Sequence, residues 1–307
     1  MRYDRLDLNL LAALDVLIET RSVSEAARRL NLSQPAVTGA LNRLRDFFKD
    51  DLLVLNGRQM LLTHRAEELA EPVRRSLMLI RAEITRPGGF DPATSQRRFA
   101  IVASDYAFTV VLADIVKKVA QVAPHISFEI IPPGSQSSDR LERAEIDLLF
   151  TVEPLILPHQ PSRALWRDDE VVISWEGAGY PGIIDMDDFY RAGYAVTLFG
   201  SDRRPTLTDA HLQKAHPGEA PALLLPNFSA LPLAIAGTGR MAIMHRLFAE
   251  HFALAHPIRL HQPSLALPEI VEVVQWNHVR ERDPGIRWLL EAIQAQVNLL
   301  PTRTHIG

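Results

Sequence analysis

Apolar residues recur at helical spacing through the first 86 positions and then give way to short apolar runs divided by turns. The first helix reads Asp7 to Glu19, with Leu10, Leu11, Leu14, Leu17 and Ile18 on one face. Ser22-Val-Ser-Glu25 has the form of a capping box, in which the Ser22 hydroxyl accepts from the backbone three residues on and Glu25 reaches back. A second helix then runs to Leu30, and Asn31-Leu32-Ser33 makes a short turn. Ser33 caps a third helix, with Pro35 in the first turn where a missing N–H costs little, and this helix continues to about Phe48. Residues 52–63 alternate loosely around Asn56-Gly57, which predicts a two-stranded wing with its tip at Asn56-Gly57-Arg58. From His64 to Thr85 the helical period returns in Leu69, Val73, Leu77, Ile80 and Ile84. The wing alone cannot bury that stripe, so it calls for a partner helix. Pro87-Gly88-Gly89 ends the segment and marks a domain boundary.

Beyond Arg98, strands alternate with helices. Strands are expected at Phe99–Ala103, Ile126–Ile131 and Asp147–Val152, with helices over Tyr106–Val122 and Ser137–Ala144. From Trp166 to about Pro263 the theme repeats, with strands near Val171–Trp175, Ala195–Phe199, Leu223–Pro226 and Met241–Met244. Its helices lie near Thr206–Lys214, Ala230–Ala236 and Leu247–Phe252. A strand at Ile270–Trp276 and a helix at Gly285–Val297 close the chain. Such alternation predicts parallel sheet with crossover helices. The expected organisation is residues 1–63 as a winged helix-turn-helix, 64–86 as a linker helix, and 87–307 as an α/β domain. The last divides into lobe 1 (about 97–165 and 266–300) and lobe 2 (about 166–265).

Composition narrows the class. The chain has 307 residues, no cysteine and no apolar run long enough to span a bilayer, which needs about 18 or more. Disulfides, thiolate metal sites and cysteine nucleophiles are therefore excluded. The first ten residues are charged and amphipathic, unlike a signal peptide, so a cytoplasmic location is expected. Net charge is −4, but residues 1–86 hold 14 Lys/Arg against 12 Asp/Glu, a net of +2, and the remainder holds 19 against 25, a net of −6. The asymmetry suits nucleic-acid binding at the N-terminus.

The third helix carries the sharper signal. Gln34, Thr38, Asn42 and Arg45 form one polar stripe, and Val37, Leu41 and Leu44 face the other way. Gln and Asn can bind adenine edges bidentately in a major groove, and Arg can bind guanine or phosphate. A solvated helix face would show the same stripe. The capping box, tight turn, Ser-Gln-Pro-Ala start and Asn-Gly wing together are more specific.

The segment Ala26-Ala27-Arg-Arg-Leu30-Asn-Leu-Ser33-Gln34-Pro35-Ala36-Val37-Thr38 resembles the signature of LysR-type transcriptional regulators. Asp50-Asp51-Leu52-Leu53 and Thr63-His64-Arg-Ala66 match as well. Asp7-Leu-Asn-Leu-Leu11, Phe90-Asp91-Pro92, Ser104-Asp105 and Arg282-Asp-Pro-Gly285 with Trp288 are similar to the branch with nodulation regulators and nitroarene- or salicylate-responsive regulators. One departure is Trp276-Asn277, where members often carry Trp-His. The resemblance implies an N-terminal winged helix-turn-helix, a long linker helix that pairs with its twin, and a C-terminal two-lobe α/β domain like periplasmic binding proteins. It implies contacts to double-stranded promoter DNA from Ser33, Gln34, Pro35, Thr38 and Asn42, with Arg58 on the wing. Arg28 and Arg29 read as solvated charges or phosphate clamps. It also implies a homodimer or homotetramer, an activator working with RNA polymerase, and no cofactor beyond a small-molecule inducer.

An inducer would sit between the lobes, where strands end at helix N-termini. Ser104 could bond a ligand or cap the helix that follows. Asp105 competes for that cap, and if unpaired it would favour a phenol or amine over a carboxylate. Tyr106 completes that strand end, Glu153 follows another strand, and Phe199 is a plausible wall. Across the cleft Asn227 offers donor and acceptor and Phe228 a ring face. The resemblance places inducer contacts near Ser104, Asp168, Asn227 and Phe228, and its branch suggests an aromatic acid or phenolic. Three rival readings are an enzyme, a solute-binding protein, and a DNA-binding architectural protein without a ligand, whose two-lobe domain would serve only oligomerisation. Gly237-Thr-Gly239 sits in helix–turn–strand order, so it reads as a helix C-cap rather than a dinucleotide loop.

Overall fold

A computed structural model describes residues 7–57, 59–80, 90–200, 202–301 and 304–306. Arg58, the expected end of the linker helix through Ile84 and Thr85, and the Pro87-Gly88-Gly89 break lie outside them. The chain divides into two units, Met1–Pro87 and Gly88–Gly307.

In the first unit α1 (Leu8–Thr20), α2 (Val23–Leu30) and α3 (Gln34–Phe48) precede a hairpin of β1 (Leu53–Asn56) and β2 (Gln59–Leu62), and α4 (His64–Leu79) follows. Side-chain oxygens of Asp7, Ser22, Ser33 and Thr63 cap the four helices. Each supplies an acceptor to a first-turn N–H that has no helical partner. The capping box is only half formed. Ser22 accepts from Glu25 N at 3.3 Å, but the Glu25 carboxylate turns away to pair with Arg28. Asn56 pairs with Gln59, and Gly57 (φ +64°) lies in the turn, within the expected tip. The stripe of α4 also differs from expectation. Ala66, Val73 and Leu77 are buried in the core that α1 shares with α2 and α3, so α1 of the same chain covers much of it.

The second unit begins with β3 (Arg98–Val102), α5 (Asp105–Ala107) and α6 (Ala113–Val122), which are joined by a π-helical turn over Phe108–Leu112. Then come β4 (Ser127–Ile131), α7 (Ser137–Glu142), β5 (Leu148–Val152), β6 (Ser162–Asp168) and β7 (Glu170–Trp175). After β8 (Ile183–Ile184) and α8 (Met186–Arg191) the chain forms β9 (Tyr194–Phe199), β10 (Arg204–Pro205), α9 (Leu207–Ala215), β11 (Leu223–Leu225) and α10 (Ala230–Ile235). It ends with β12 (Met241–His245), α11 (Arg246–Ala253), β13 (Ile258–Pro263), β14 (Ile270–Gln275) and α12 (Pro284–Val297).

Among the described residues the lobe 1 sheet runs β4-β3-β5-β14-β6, and the lobe 2 sheet runs β10-β9-β12-β7-β13-β8 with β11 beside β9. Both sheets are mixed rather than parallel. β14 is antiparallel to β5 and β6, and β7 is antiparallel to β12 and β13, because the chain crosses between lobes twice. The first crossing falls at Asp169, between β6 and β7, and not at 165/166. Strand β6 escapes a period-two reading because a bulge opposite Glu272 and Val273 leaves Leu165 and Trp166 both buried.

The residues around Asp283 form a seam in lobe 1. Asp283 caps α12 through Gly285 N and Ile286 N and pairs with Arg97 at 2.7 Å. Arg97 also meets Asp147 at 2.8 Å and lies over the Phe99 ring. Phe90 packs on Trp288, and a Cβ on Gly285 would fall 2.5 Å from Arg97 Nη1. These signature positions hold the fold together. Gly237 (φ +74°) follows the end of α10, with Thr238 N bonded to Ile235 O, as a helix C-terminus requires.

Candidate functional site

The first site is a face of α3. Val37, Leu41 and Leu44 are buried, and Ser33, Gln34, Pro35, Thr38 and Asn42 are exposed on the other side. The Thr38 hydroxyl donates to Gln34 O at 3.0 Å. Arg45, on the same stripe, is hydrogen-bonded within the chain. Its Nε donates to Asp51 O at 2.8 Å and its Nη2 to Leu53 O at 2.7 Å. Its Nη1 donates to Asn42 Oδ1 at 3.4 Å, so this guanidinium ties the base of the wing to α3 while remaining on the polar stripe. Asp50 does similar work, accepting from Leu52 N and from the Thr63 hydroxyl, which also caps α4. Arg28 and Arg29 are paired with Glu25 and Glu19.

The second site is a cavity of about 140 Å³ between the lobes. Phe150, Val152, Leu155, Phe199, Phe228 and Ile270 supply much of its apolar wall. Its polar groups are Ser104, Thr151, Thr206, Thr208, Glu170, His245 and Glu272. Ser104 caps α5 through Ala107 N at 3.1 Å while still lining the cavity. Asp105 does not cap. Its carboxylate crosses to lobe 2 and accepts from Phe228 N and Ser229 N, the latter at 2.7 Å. Asn227 Oδ1 accepts from Ala230 N and the Ser229 hydroxyl, holding the start of α10.

Behind the cavity lies a buried polar cluster. The Tyr106 hydroxyl donates to Asp168 Oδ2 and accepts from Trp166 Nε1, each at 2.8 Å, and Leu247 N donates to Asp168 at 3.0 Å. His245 lies between the rings of Tyr106 and Phe228, with centroids 4.2 and 4.8 Å away. Its Nδ1 is 3.1 Å from Glu170 Oε1 without a well-directed hydrogen bond, a contact that is an ion pair when the ring is protonated. Glu170 also accepts from the Thr208 hydroxyl. Burial opposes the charged form of His245, yet Glu170 beside it, with Asp168 and Glu272, holds its pKa above the ordinary histidine value. Burial pushes the Asp168 carboxyl up and the Tyr106 hydroxyl well up. Burial likewise lifts Asp209 to about 6, and it lifts Glu272 to about 8 against the opposing His245 charge.

Two known families match most of the chain. The bacterial regulatory helix-turn-helix family of lysR type matches residues 8–67, and the LysR substrate binding domain matches residues 92–298. The chain belongs to the LysR family. It is a DNA-binding transcriptional regulator with an effector-binding domain. Similar LysR proteins include Nodulation protein D 2 of Rhizobium tropici, 36% identical over 98% of this chain and 96% of that one. Nodulation protein D 2 of Rhizobium leguminosarum bv. phaseoli is 34% identical over 95% and 92%. The transcriptional regulator PA0477 from Pseudomonas aeruginosa is 26% identical with a TM-score of 0.62, covering 95% and 98%. The fold is shared by CbnR, a LysR family regulator solved in complex with its target DNA, at 16% identity and a TM-score of 0.55 over 95% and 100%.

Within this LysR effector domain, Ser104, Phe199 and Phe228 line the cavity as read from sequence. Asp105, Tyr106, Asp168 and Asn227 lie behind it, fastening the lobes and the cluster. Glu153 is exposed on a turn after β5. Asn277, at the departure from Trp-His, is fully buried and donates to Leu141 O and Glu142 O, away from the cavity lining. Sequence reading missed Glu170, His245, Glu272 and Thr208. Glu272 carried a usable signal, because it falls in register with Ile270 and Val274 on one face of an apolar strand. His245 and Glu170 sit at strand ends, one residue beyond the expected bounds. Among the described residues no group of three or more His, Asp or Glu side chains could hold a metal ion.

Proposed function

We propose that this regulator reads promoter DNA through Gln34, Thr38 and Asn42, with Ser33 and Pro35 at the helix start meeting the adjacent phosphate. Arg58 on the wing adds a backbone contact. Arg45 keeps the wing in place and does not read bases. The observation that carries the reading is the exposed Gln34–Thr38–Asn42 face on a helix whose opposite face is buried. Gel shift on the DNA upstream of the protein's own gene tests it. Wild type should hold its site over random competitor, and Gln34→Ala and Asn42→Ala should lose roughly tenfold or more, since a bidentate contact discriminates by about 1–3 kcal/mol. Absence of any shift at low salt, where phosphate attraction is greatest, would refute the reading.

The effector is a small uncharged aromatic, most simply a phenolic. A cavity of about 140 Å³ matches one ring, since an engineered cavity of about 150 Å³ holds benzene. The acids around it weigh against an aromatic carboxylate. The protein acts in the cytoplasm as a dimer or a pair of dimers, and activates by presenting bent DNA to RNA polymerase. Effector binding changes lobe closure, which requires unequal affinity for the two arrangements. Equal DNA bend angles with and without a bound effector would rule this mechanism out.

A further inference from the structure

Strand β14 carries an acid into the cavity wall. Ile270 and Glu272 are two residues apart and face the cavity together. Glu272 is 5% exposed. The other acids of the cluster are held by partners: Asp168 by Tyr106 and Leu247, Glu170 by Thr208 and His245, and Asp209 by Thr206. Among the described residues no hydrogen bond or ion pair reaches the Glu272 carboxyl, although it lines the space a ligand would fill. The carboxyl is open to the cavity itself, where a ligand can hydrogen-bond to it.

The groups facing it settle its charge. His245 approaches from β12, Glu170 from β7, Asp168 from the end of β6 and Tyr106 from α5. His245, the basic group of the cluster, already pairs with Glu170 at 3.1 Å, so an ionised Glu272 would be a buried anion beside Asp168 without a counter-charge of its own. It therefore keeps its proton at neutral pH, as its displaced titration near pH 8 also indicates. A neutral carboxyl offers an O–H donor and a C=O acceptor side by side. A ligand hydroxyl satisfies both, whereas a ligand carboxylate would add one more anion.

We propose that Glu272 is the residue that selects the effector, pairing its neutral carboxyl with the hydroxyl of an uncharged aromatic and turning away aromatic carboxylates. This rests on the cleft being the effector site. It adds a consequence: effector binding is tied to a proton on the protein.

The test is calorimetric titration of the full chain with 4-methylphenol and with benzoate across neutral and alkaline pH. We expect 4-methylphenol to bind at least about tenfold more tightly than benzoate at neutral pH. Its affinity should fall about tenfold per pH unit above the Glu272 midpoint near pH 8. In Glu272→Gln, which keeps a donor and an acceptor but cannot titrate, that fall should vanish. The infrared band of a protonated carboxylic acid should be present in wild type at neutral pH and missing in Glu272→Gln. A phenol affinity flat with pH, or no such band in wild type, would overturn the role of Glu272 and leave the phenolic reading standing. Tighter binding of benzoate, or no binding of 4-methylphenol that a cavity-filling Phe228→Trp abolishes, would overturn both.

Discussion

The two working surfaces of this protein are both polar, yet they are built in opposite ways. On α3, Gln34, Thr38 and Asn42 sit in water on a helix anchored by Val37, Leu41 and Leu44. Behind the cleft, Asp168, Glu170, His245 and Glu272 are buried, and they come from strands and strand ends distributed over both lobes. The exposed face bears little on stability, so its chemistry is separable from the fold. The buried cluster is part of the fold, so every polar group there must be satisfied, paired or neutralised. That difference explains why displaced titrations gather at the cleft, in Asp168, His245 and Glu272.

Substitutions can break or sharpen this contrast. The largest effect should come from Asp168→Ala, which strips the Tyr106 hydroxyl and Leu247 N of their partner. Denaturant unfolding should show a loss of about 3–5 kcal/mol. A loss comparable to that of a surface substitution would mean that the cluster is not the internal brace described above.

Next comes Glu272→Gln, with the opposite sign. The folded pKa of Glu272 is raised from 4.5 to about 8. Below the lower value the group is neutral in both states and contributes nothing. Between the two values the folded state alone keeps the proton, so wild-type stability falls as pH rises, and the penalty is complete above the higher value. Gln removes it, so the variant should be more stable by on the order of 5 kcal/mol at alkaline pH and no different in acid. Melting both proteins across pH checks this. His245 works in the same direction: its raised pKa contributes stability below the unfolded value, and this is lost as pH climbs through the folded one.

Arg45→Ala should cost the N-terminal unit about 1–3 kcal/mol through the lost bonds to Asp51 O and Leu53 O. Arg45→Lys should recover little, because a point charge cannot bridge two carbonyls as a fork does. The smallest stability effect belongs to Gln34→Ala, within about 0.5 kcal/mol, although its DNA affinity falls. If Gln34→Ala destabilised as much as Arg45→Ala, the separation of surface chemistry from fold would fail on α3.

The helix starts and buried face of the N-terminal unit were legible because their signals are local. Ser22, Ser33 and Thr63 each act within three residues of themselves, and Val37, Leu41 and Leu44 follow the helical period. Arg45 lies on the polar stripe by spacing and meets Asn42 there, while its bonds to the Asp51 and Leu53 carbonyls come only with the folded wing. In the effector domain β3, β5 and β14 were legible as apolar runs. Strand β6 was not, since its bulge breaks the alternation.

Sequence alone determined the class of protein, the exposed polar face of α3, and three residues that line the cavity, Ser104, Phe199 and Phe228. Each of these rests on a motif, or on a residue beside a strand end, that short-range geometry enforces. Tertiary structure alone decided that Asp105 fastens the lobes, that α1 covers α4, and that Glu272 meets His245 and Asp168. Those contacts join residues 27 to 124 positions apart, or else depend on burial. No pattern along a chain encodes the loss of water around a carboxyl. Only the closed packing of two lobes removes it.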